Sequence, residues 1–158
     1  RRMIEHVVLR VIARLLAPFI VLFALYVQFH GDFGPGGGFQ AGVIFASAFI
    51  LFALIYGIEH ARQIAPPAVA QAGIGLGVLL YAGTGVAGML LGGKYLDYSV
   101  LADDTGHGQH YGILIIEFGV GVTVAAVMIT VFFTFAGRRG VLEAREDTGV
   151  PHDGDEER

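Results

Sequence analysis

Four apolar stretches, each long enough to cross a bilayer as a helix, limit how this chain can fold more than any other feature. A spanning helix needs roughly 20 residues at about 1.5 Å rise each. The first stretch occupies residues 11–29, with Arg10 and Arg14 in its first turns, where long basic side chains reach back to the headgroups. The second, residues 39–58, carries no charge. The third lies within the uncharged residues 63–93 and starts near Pro67, because proline suits the first turn of a helix. The fourth covers residues 112–136 and holds one acid, Glu117. The expected fold is therefore an all-α membrane protein with four transmembrane helices. A chain of 158 residues that is 54% hydrophobic and 15% charged agrees with that class. It has no cysteine, which removes disulfides and thiolate metal sites.

Charge placement predicts the orientation. Lys and Arg in short loops and near helix ends favour the cytoplasmic side. Arg1, Arg2, Arg10 and Arg14 precede or begin the first span, Arg62 follows the second, and Arg138, Arg139 and Arg145 follow the fourth. The opposite face has Lys94 as its one strong base, beside Asp32, Asp97, Asp103 and Asp104. Both termini are expected in the cytoplasm. Residues 1–138 form the four-helix transmembrane domain on this reading. Residues 139–158 are rich in charge and poor in apolar residues, and are expected to stay disordered because they bury too little surface to offset ordering entropy.

Small residues at helical spacing mark where the spans should meet, since close backbone approach drives helix association in lipid. Such rows are Gly38, Gly42 and Ala46 on the second span, Gly73 with Gly77, and Thr84, Gly88 and Gly92 on the third, and Glu117, Gly121 and Ala125 on the fourth. Gly75, Gly83 and Gly85 add to the smooth surface of the third span, and Ala53 and Gly57 continue the second. Phe45, Phe49, Phe52 and Tyr56 form an aromatic stripe, read as packing or a lipid-facing surface.

The segment HGDFGPGGGFQAG, residues 30–42, invites a ligand reading. Gly36, Gly38 and Ala41 fit the dinucleotide pattern GxGxxA, with Glu59 about 20 residues on. That fingerprint needs a preceding strand, and here the flanks are membrane helices. No Lys-Ser/Thr pair follows the glycines as a phosphate loop requires. Imidazole and carboxylate from His30, Asp32, His107 and His110 could bind zinc, but their spacing lacks a regular scaffold and no metal site is assigned. The segment reads as a reversal between two helices in which glycine supplies unusual φ angles. Pro35, Gly36, Gly37, Gly38 and Phe39 belong to that turn. The alternative is the rim of a cation path beside His30 and Asp32.

Glu117 stands about five residues, or 7 to 8 Å, inside its span on this reading. An acid there faces a bundle interior or watery cavity, pairs with a base, or takes part in an ion or proton path. Its shallow depth equally permits a structural hydrogen bond. Four spans with one such acid lack the paired polar residues and broken helices of a complete transporter. The chain therefore looks like one part of a larger assembly.

Two blocks carry a specific resemblance. Residues 26–57, YVQFHGDFGPGGGFQAGVIFASAFILFALIYG, and residues 110–133, HYGILIIEFGVGVTVAAVMITVFF, closely resemble the B subunit, or MnhB domain, of multisubunit Mrp-type cation/proton antiporters. The likeness covers most of residues 5–138. It implies a non-autonomous subunit of a bacterial plasma-membrane complex that exchanges sodium for protons. A purely structural subunit of a related respiratory or hydrogenase membrane arm is the alternative. The implied partners are the other subunits, the lipid bilayer and, at the level of the complex, sodium and protons. No enzyme activity, cofactor, catalytic residue or nucleic-acid partner is implied. Glu117, with His30 and Asp32, remains the candidate for a cation path. Pro35, Gly36, Gly37, Gly38, Phe39, Gly42, Gly73, Gly77, Gly88 and Gly121 are the candidates for packing.

Overall fold

The computed structural model describes residues 2–31, 36–101 and 104–147, with side chains omitted at 2–6, 105 and 139–147. Asp32, Pro35, Asp103 and the end of the tail, residues 148–158, lie outside the described residues. Five helices follow in order: α1 (Arg2–His30), α2 (Gly38–Tyr56), α3 (Ile58–Ile64), α4 (Pro67–Leu90) and α5 (Thr105–Asp147). A single 3-10 turn, Tyr98–Leu101, lies between α4 and α5. No strand occurs among the described residues. Four helices, α1, α2, α4 and α5, are long and apolar enough to span a membrane.

The helix ends follow local chemistry. Gly57 takes φ 94° and breaks the expected second span after Tyr56, turning the chain into the short helix α3. Only glycine adopts that conformation cheaply. Pro67 starts α4, where its missing N–H costs nothing. Pro18 sits inside α1 without ending it, as neighbouring groups permit in membrane helices. α1 and α5 both outrun their expected bounds. The backbone of residues 139–147 continues α5, although the sequence suggested an irregular tail from residue 139.

Packing runs in the sequence α1, α2, α5, α4. α1 and α2 are antiparallel, with Arg14 Nε donating to Tyr56 Oη at 3.2 Å near one end. α2 and α5 run parallel, for Gly38 meets Glu117 at one level and Phe49 meets Phe133 edge-on at 5.8 Å further along. α4 is antiparallel to α5, with Gly73 beside Ala126 and Gly77 beside Thr123. The buried core is made of Ala46, Ala53, Ala61 and Ala70 with Ile129 and Phe133. No large side chain among the described residues is completely buried. Close packing of small side chains suits a medium in which lipid is as apolar as the core. Large apolar groups point outward instead, as with Phe19 at 62% exposure and Leu22 at 60%.

The α4–α5 connection is folded back on its helices. Tyr95 lies on Gly85 of α4, and Tyr98 on Gly112 of α5, each where a Cβ would overlap the ring. Asp97 orders the turn by accepting from both the Ser99 backbone N–H, at 3.2 Å, and the Ser99 hydroxyl. The Ser99 hydroxyl is the leading cause that holds the Asp97 carboxyl below the usual carboxylate range, with the Ser99 backbone N–H next. A lowered folded value means that the ordered turn is favoured above the ordinary carboxylate range and loses that support as pH falls through the folded value. Ser99→Ala should raise the Asp97 pKa toward 3.8, the ordinary value. Carboxylate titration of the labelled residue by NMR checks this, and an unchanged midpoint would remove the hydroxyl from the account.

Candidate functional site

The glycine turn and the acid of the fourth span, which the sequence grouped through His30 and Asp32, lie against each other at Gly31, Gly37 and Gly38. α1 ends at His30 and α2 starts at Gly38, so the turn lies at one end of the bundle. Parallel packing of α2 on α5 brings Glu117 to the same level. A Cβ at Gly31 would stand 2.9 Å from Glu117 Oε2, and one at Gly37 would stand 3.0 Å from Oε1. The carboxylate thus occupies space that side chains on either flank of the turn would need. Gly37 also takes φ 126°, a backbone conformation that L residues avoid.

Directly below, backbone meets backbone. A Cβ at Gly38 would overlap the Glu117 carbonyl oxygen, and one at Gly42 would lie 2.6 Å from the Gly121 carbonyl oxygen. Gly36 approaches the Val27 carbonyl oxygen, 3.0 Å from where its Cβ would be. The turn is therefore held from α1 on one side and α5 on the other.

Glu117 is half-buried. It is not five residues into α5, as the sequence suggested, because α5 begins at Thr105. Twelve residues precede it, roughly 18 Å of helix at 1.5 Å per residue. Its level is nonetheless that of the α1–α2 turn, and the first turns of α5 extend past that level beside the folded-back α4–α5 connection.

His30 is exposed at the end of α1 and stacks on Tyr26, with ring centroids 4.9 Å apart. His107 pairs with Asp104, Nδ1 to Oδ2 at 2.8 Å, on an exposed turn at the start of α5. His110 is exposed on the same helix. No group of three His, Asp or Glu residues capable of holding a metal comes together among the described residues. Asp32 and Pro35 fall outside them.

The packing candidates separate by helical phase. Gly77 stands against Thr123 and Gly119, Gly88 against the Asp97 carbonyl, and Gly121 against Gln28 and Gly38. Phe39 points outward at 61% exposure, since one residue beyond Gly38 turns about 100° around the helix. Gly75 and Gly83 face open space, and so do Gly57 and Gly92. The last two serve as turn residues with φ 94° and 90°. Of the aromatic stripe, Phe49 packs on Phe133 and Phe52 stacks on Tyr56, whereas Phe45 is 41% exposed.

One residue of the site escaped the sequence reading. Gln28 of α1 is 5% exposed, and its amide oxygen lies over Gly121, 2.7 Å from where a Cβ would be. The available signal was its isolation, as the one amide in the uncharged stretch 15–29.

The family described as "Domain related to MnhB subunit of Na+/H+ antiporter" matches residues 8–130. A protein of Staphylococcus epidermidis named "Putative antiporter subunit mnhB2" is 32% identical over 139 residues, covering 85% of this chain and 97% of that protein. A Staphylococcus aureus protein of the same name is 32% identical over 138 residues, with the same shares covered.

Proposed function

The chain belongs to the MnhB family of Na+/H+ antiporter subunits, and we propose that its glycine turn and Glu117 form a fixed joint that holds the subunit's shape within the complex. It is a multi-pass subunit of a sodium/proton antiporter in the bacterial plasma membrane. The matched relatives are named as antiporter subunits rather than enzymes. Its partners are other subunits of that antiporter. Sodium and protons are the ions of the complex as a whole, and on this reading the chain performs no catalytic reaction.

The observation that carries the joint is the seat of the carboxylate, between Gly31 and Gly37 and above the backbone contact of Gly38 with Glu117. An ionised carboxylate accepts hydrogen bonds and donates none, and its two oxygens face the glycines that flank the turn, Oε2 at Gly31 and Oε1 at Gly37. A second reading has its own support. Glu117 is only half-buried, so water and ions can reach it, and together with His30 and Asp32 it would then form the rim of a cation path.

Glu117→Gln separates the two. The joint predicts that Glu117→Gln, which puts an amide NH2 where one carboxylate oxygen accepted, weakens assembly while sodium/proton exchange per assembled complex stays close to wild type. Glu117→Leu weakens assembly further, by about 1–3 kcal/mol, the cost of leaving polar groups unpaired. Exchange assays in vesicles, normalised to the amount of assembled complex, decide it. Should Glu117→Gln assemble normally and lose tenfold or more in exchange, the cation-path reading replaces the joint.

We place both termini in the cytoplasm. Arg10, Arg14, Arg62 and Arg138 lie toward the end of the bundle where α2 finishes, Arg14 on Tyr56 and Arg62 beside Gly137, whereas Lys94 lies on the opposite connection, a distribution that the positive-inside rule assigns to the cytoplasm. Residues 139–158 then form a cytoplasmic extension whose first part continues α5.

A further inference from the structure

Arg10 and Arg14 stand one turn apart on α1, and both are exposed. Arg14 and His30, the last residue of α1, are about 24 Å apart along the helix at 1.5 Å per residue, so a hydrocarbon core about 30 Å thick extends past the Arg14 backbone. Long side chains on a helix lean toward its N-terminus, and that direction carries the guanidinium outward. Tyr56 shows where it arrives. The tyrosine hydroxyl accepts from Arg14 Nε at 3.2 Å and donates to the Arg10 carbonyl at 3.5 Å, so the charged head is turned back toward the preceding turn of α1. Tyr56 is the last residue of α2, and α3 beyond it carries Glu59, His60, Arg62 and Gln63. The level is the boundary between hydrocarbon and headgroups.

The two charges are unmatched. Neither arginine pairs with a carboxylate among the described residues, where the ion pairs are Arg62 with Glu59 and His107 with Asp104. Tyr56 occupies the Arg14 Nε, and its ring centroid lies 5.8 Å from the Arg14 Cζ. That leaves the two Nη groups available as a fork, the geometry that grips two oxygens of one phosphate. Around the pair α1 exposes Val7, Val11 and Leu15, and α1 is the least covered of the four spans.

We propose that Arg10 and Arg14, the latter oriented by Tyr56, bind the phosphodiester of an anionic phospholipid. Phosphate lies at this level around every lipid-facing helix, and two cations without an acid favour a lipid of net negative charge over a zwitterionic one. An acidic residue of a neighbouring subunit fits less well. It would have to be carried to the hydrocarbon edge on a helix face apolar enough to pack on Val7, Val11 and Leu15, where an unpaired carboxylate is costly. On the orientation proposed above, the lipid belongs to the cytoplasmic leaflet.

The test uses the assembled complex in vesicles with phosphatidylcholine and phosphatidylglycerol in both leaflets. A dansyl side chain is encoded in place of Val7, which is exposed two turns before Arg14 on the same helix face, and the two lipids are brominated in turn. Quenching should show phosphatidylglycerol preferred about twentyfold at this position, roughly fivefold for each arginine. The same reporter in place of Phe19, exposed but deeper in the span, should show no preference. Arg10→Gln and Arg14→Gln should each lower the preference about fivefold, and together bring it near parity. Tyr56→Phe keeps both charges and should still lower it about threefold, the worth of one hydrogen bond that orients the fork. Inorganic phosphate at matched ionic strength should leave the quenching unchanged. Equal quenching by the two lipids at Val7, the same preference at Phe19, or survival of the preference without the two arginines would overturn the proposal. So would displacement by inorganic phosphate, an unchanged preference in Tyr56→Phe, or a photo-crosslinker at Val11 that captures an acidic peptide of a partner subunit. None of these readouts depends on whether Glu117 is a joint or a path, or on which way the termini face.

Discussion

Gly38→Ala is expected to cost the folded subunit about 3 kcal/mol, the upper range for forcing one methyl into a close-packed contact. The reason is the identity of the obstructing atoms. The new Cβ would overlap the Glu117 carbonyl oxygen, lie 2.7 Å from the carbonyl carbon and stand 3.0 Å from the Gly121 nitrogen. All are backbone, so no side-chain rotation relieves the clash and α2 must separate from α5. At 1.4 kcal/mol per tenfold, the ratio of packed to unpacked subunit falls roughly a hundredfold. The measurement is the amount of this subunit retained in purified complex and the temperature at which it dissociates. Phe39→Ala is the neighbouring control, and its outward side chain predicts a small change. Normal retention of the Gly38→Ala subunit would rule out backbone contact between α2 and α5 at Gly38.

Gly77→Ala should have a comparable effect at the other main interface, with Gly75→Ala as its opposite. A Cβ at Gly77 would overlap the Thr123 hydroxyl, lie 2.5 Å from the Gly119 carbonyl oxygen and 2.9 Å from the Thr123 nitrogen. Thr123 has little freedom to move away, since its Oγ1 donates to the Gly119 carbonyl at 2.9 Å. A loss of about 2–3 kcal/mol follows, the range for overpacking. At Gly75, two residues away, nothing lies within 4 Å. Alanine there should leave stability equal or raise it by about 0.5–1 kcal/mol through helix propensity. In the assembled complex a neighbouring subunit that packs on Gly75 would reverse this sign. The pair of variants therefore also reports whether that face of α4 is covered, and thermal dissociation of the complex is again the measurement.

Residue spacing made much of this arrangement legible. Gly38, Gly42 and Ala46, and Gly73 with Gly77, were identified as contact faces from four-residue spacing, and each is buried or placed against another helix. The start of α4 at Pro67 followed from proline chemistry alone. The same reasoning placed Gly75 and Gly83 on the smooth surface, where they meet nothing in this chain. Composition counts small residues, whereas contact depends on the phase at which each faces a neighbour. Phe39 illustrates the point within the glycine turn itself, where one step along α2 carries the side chain from the interface to the surface.

The sequence by itself determined the class of the protein and its membrane-spanning segments. Hydrophobic length is a property of each segment taken alone, and satisfying the backbone in lipid leaves helices as the solution for runs such as 39–56. The two family blocks could likewise be read without any contact. Only the tertiary structure decided that Glu117, nearly 80 residues after the glycine turn, sits in the space left by Gly31 and Gly37, and that Gln28 lies over Gly121. Both placements depend on the register between helices distant in sequence. That register is set by which backbones can approach most closely, and Gly38 against Glu117 and Gly42 against Gly121 fix it for α2 and α5.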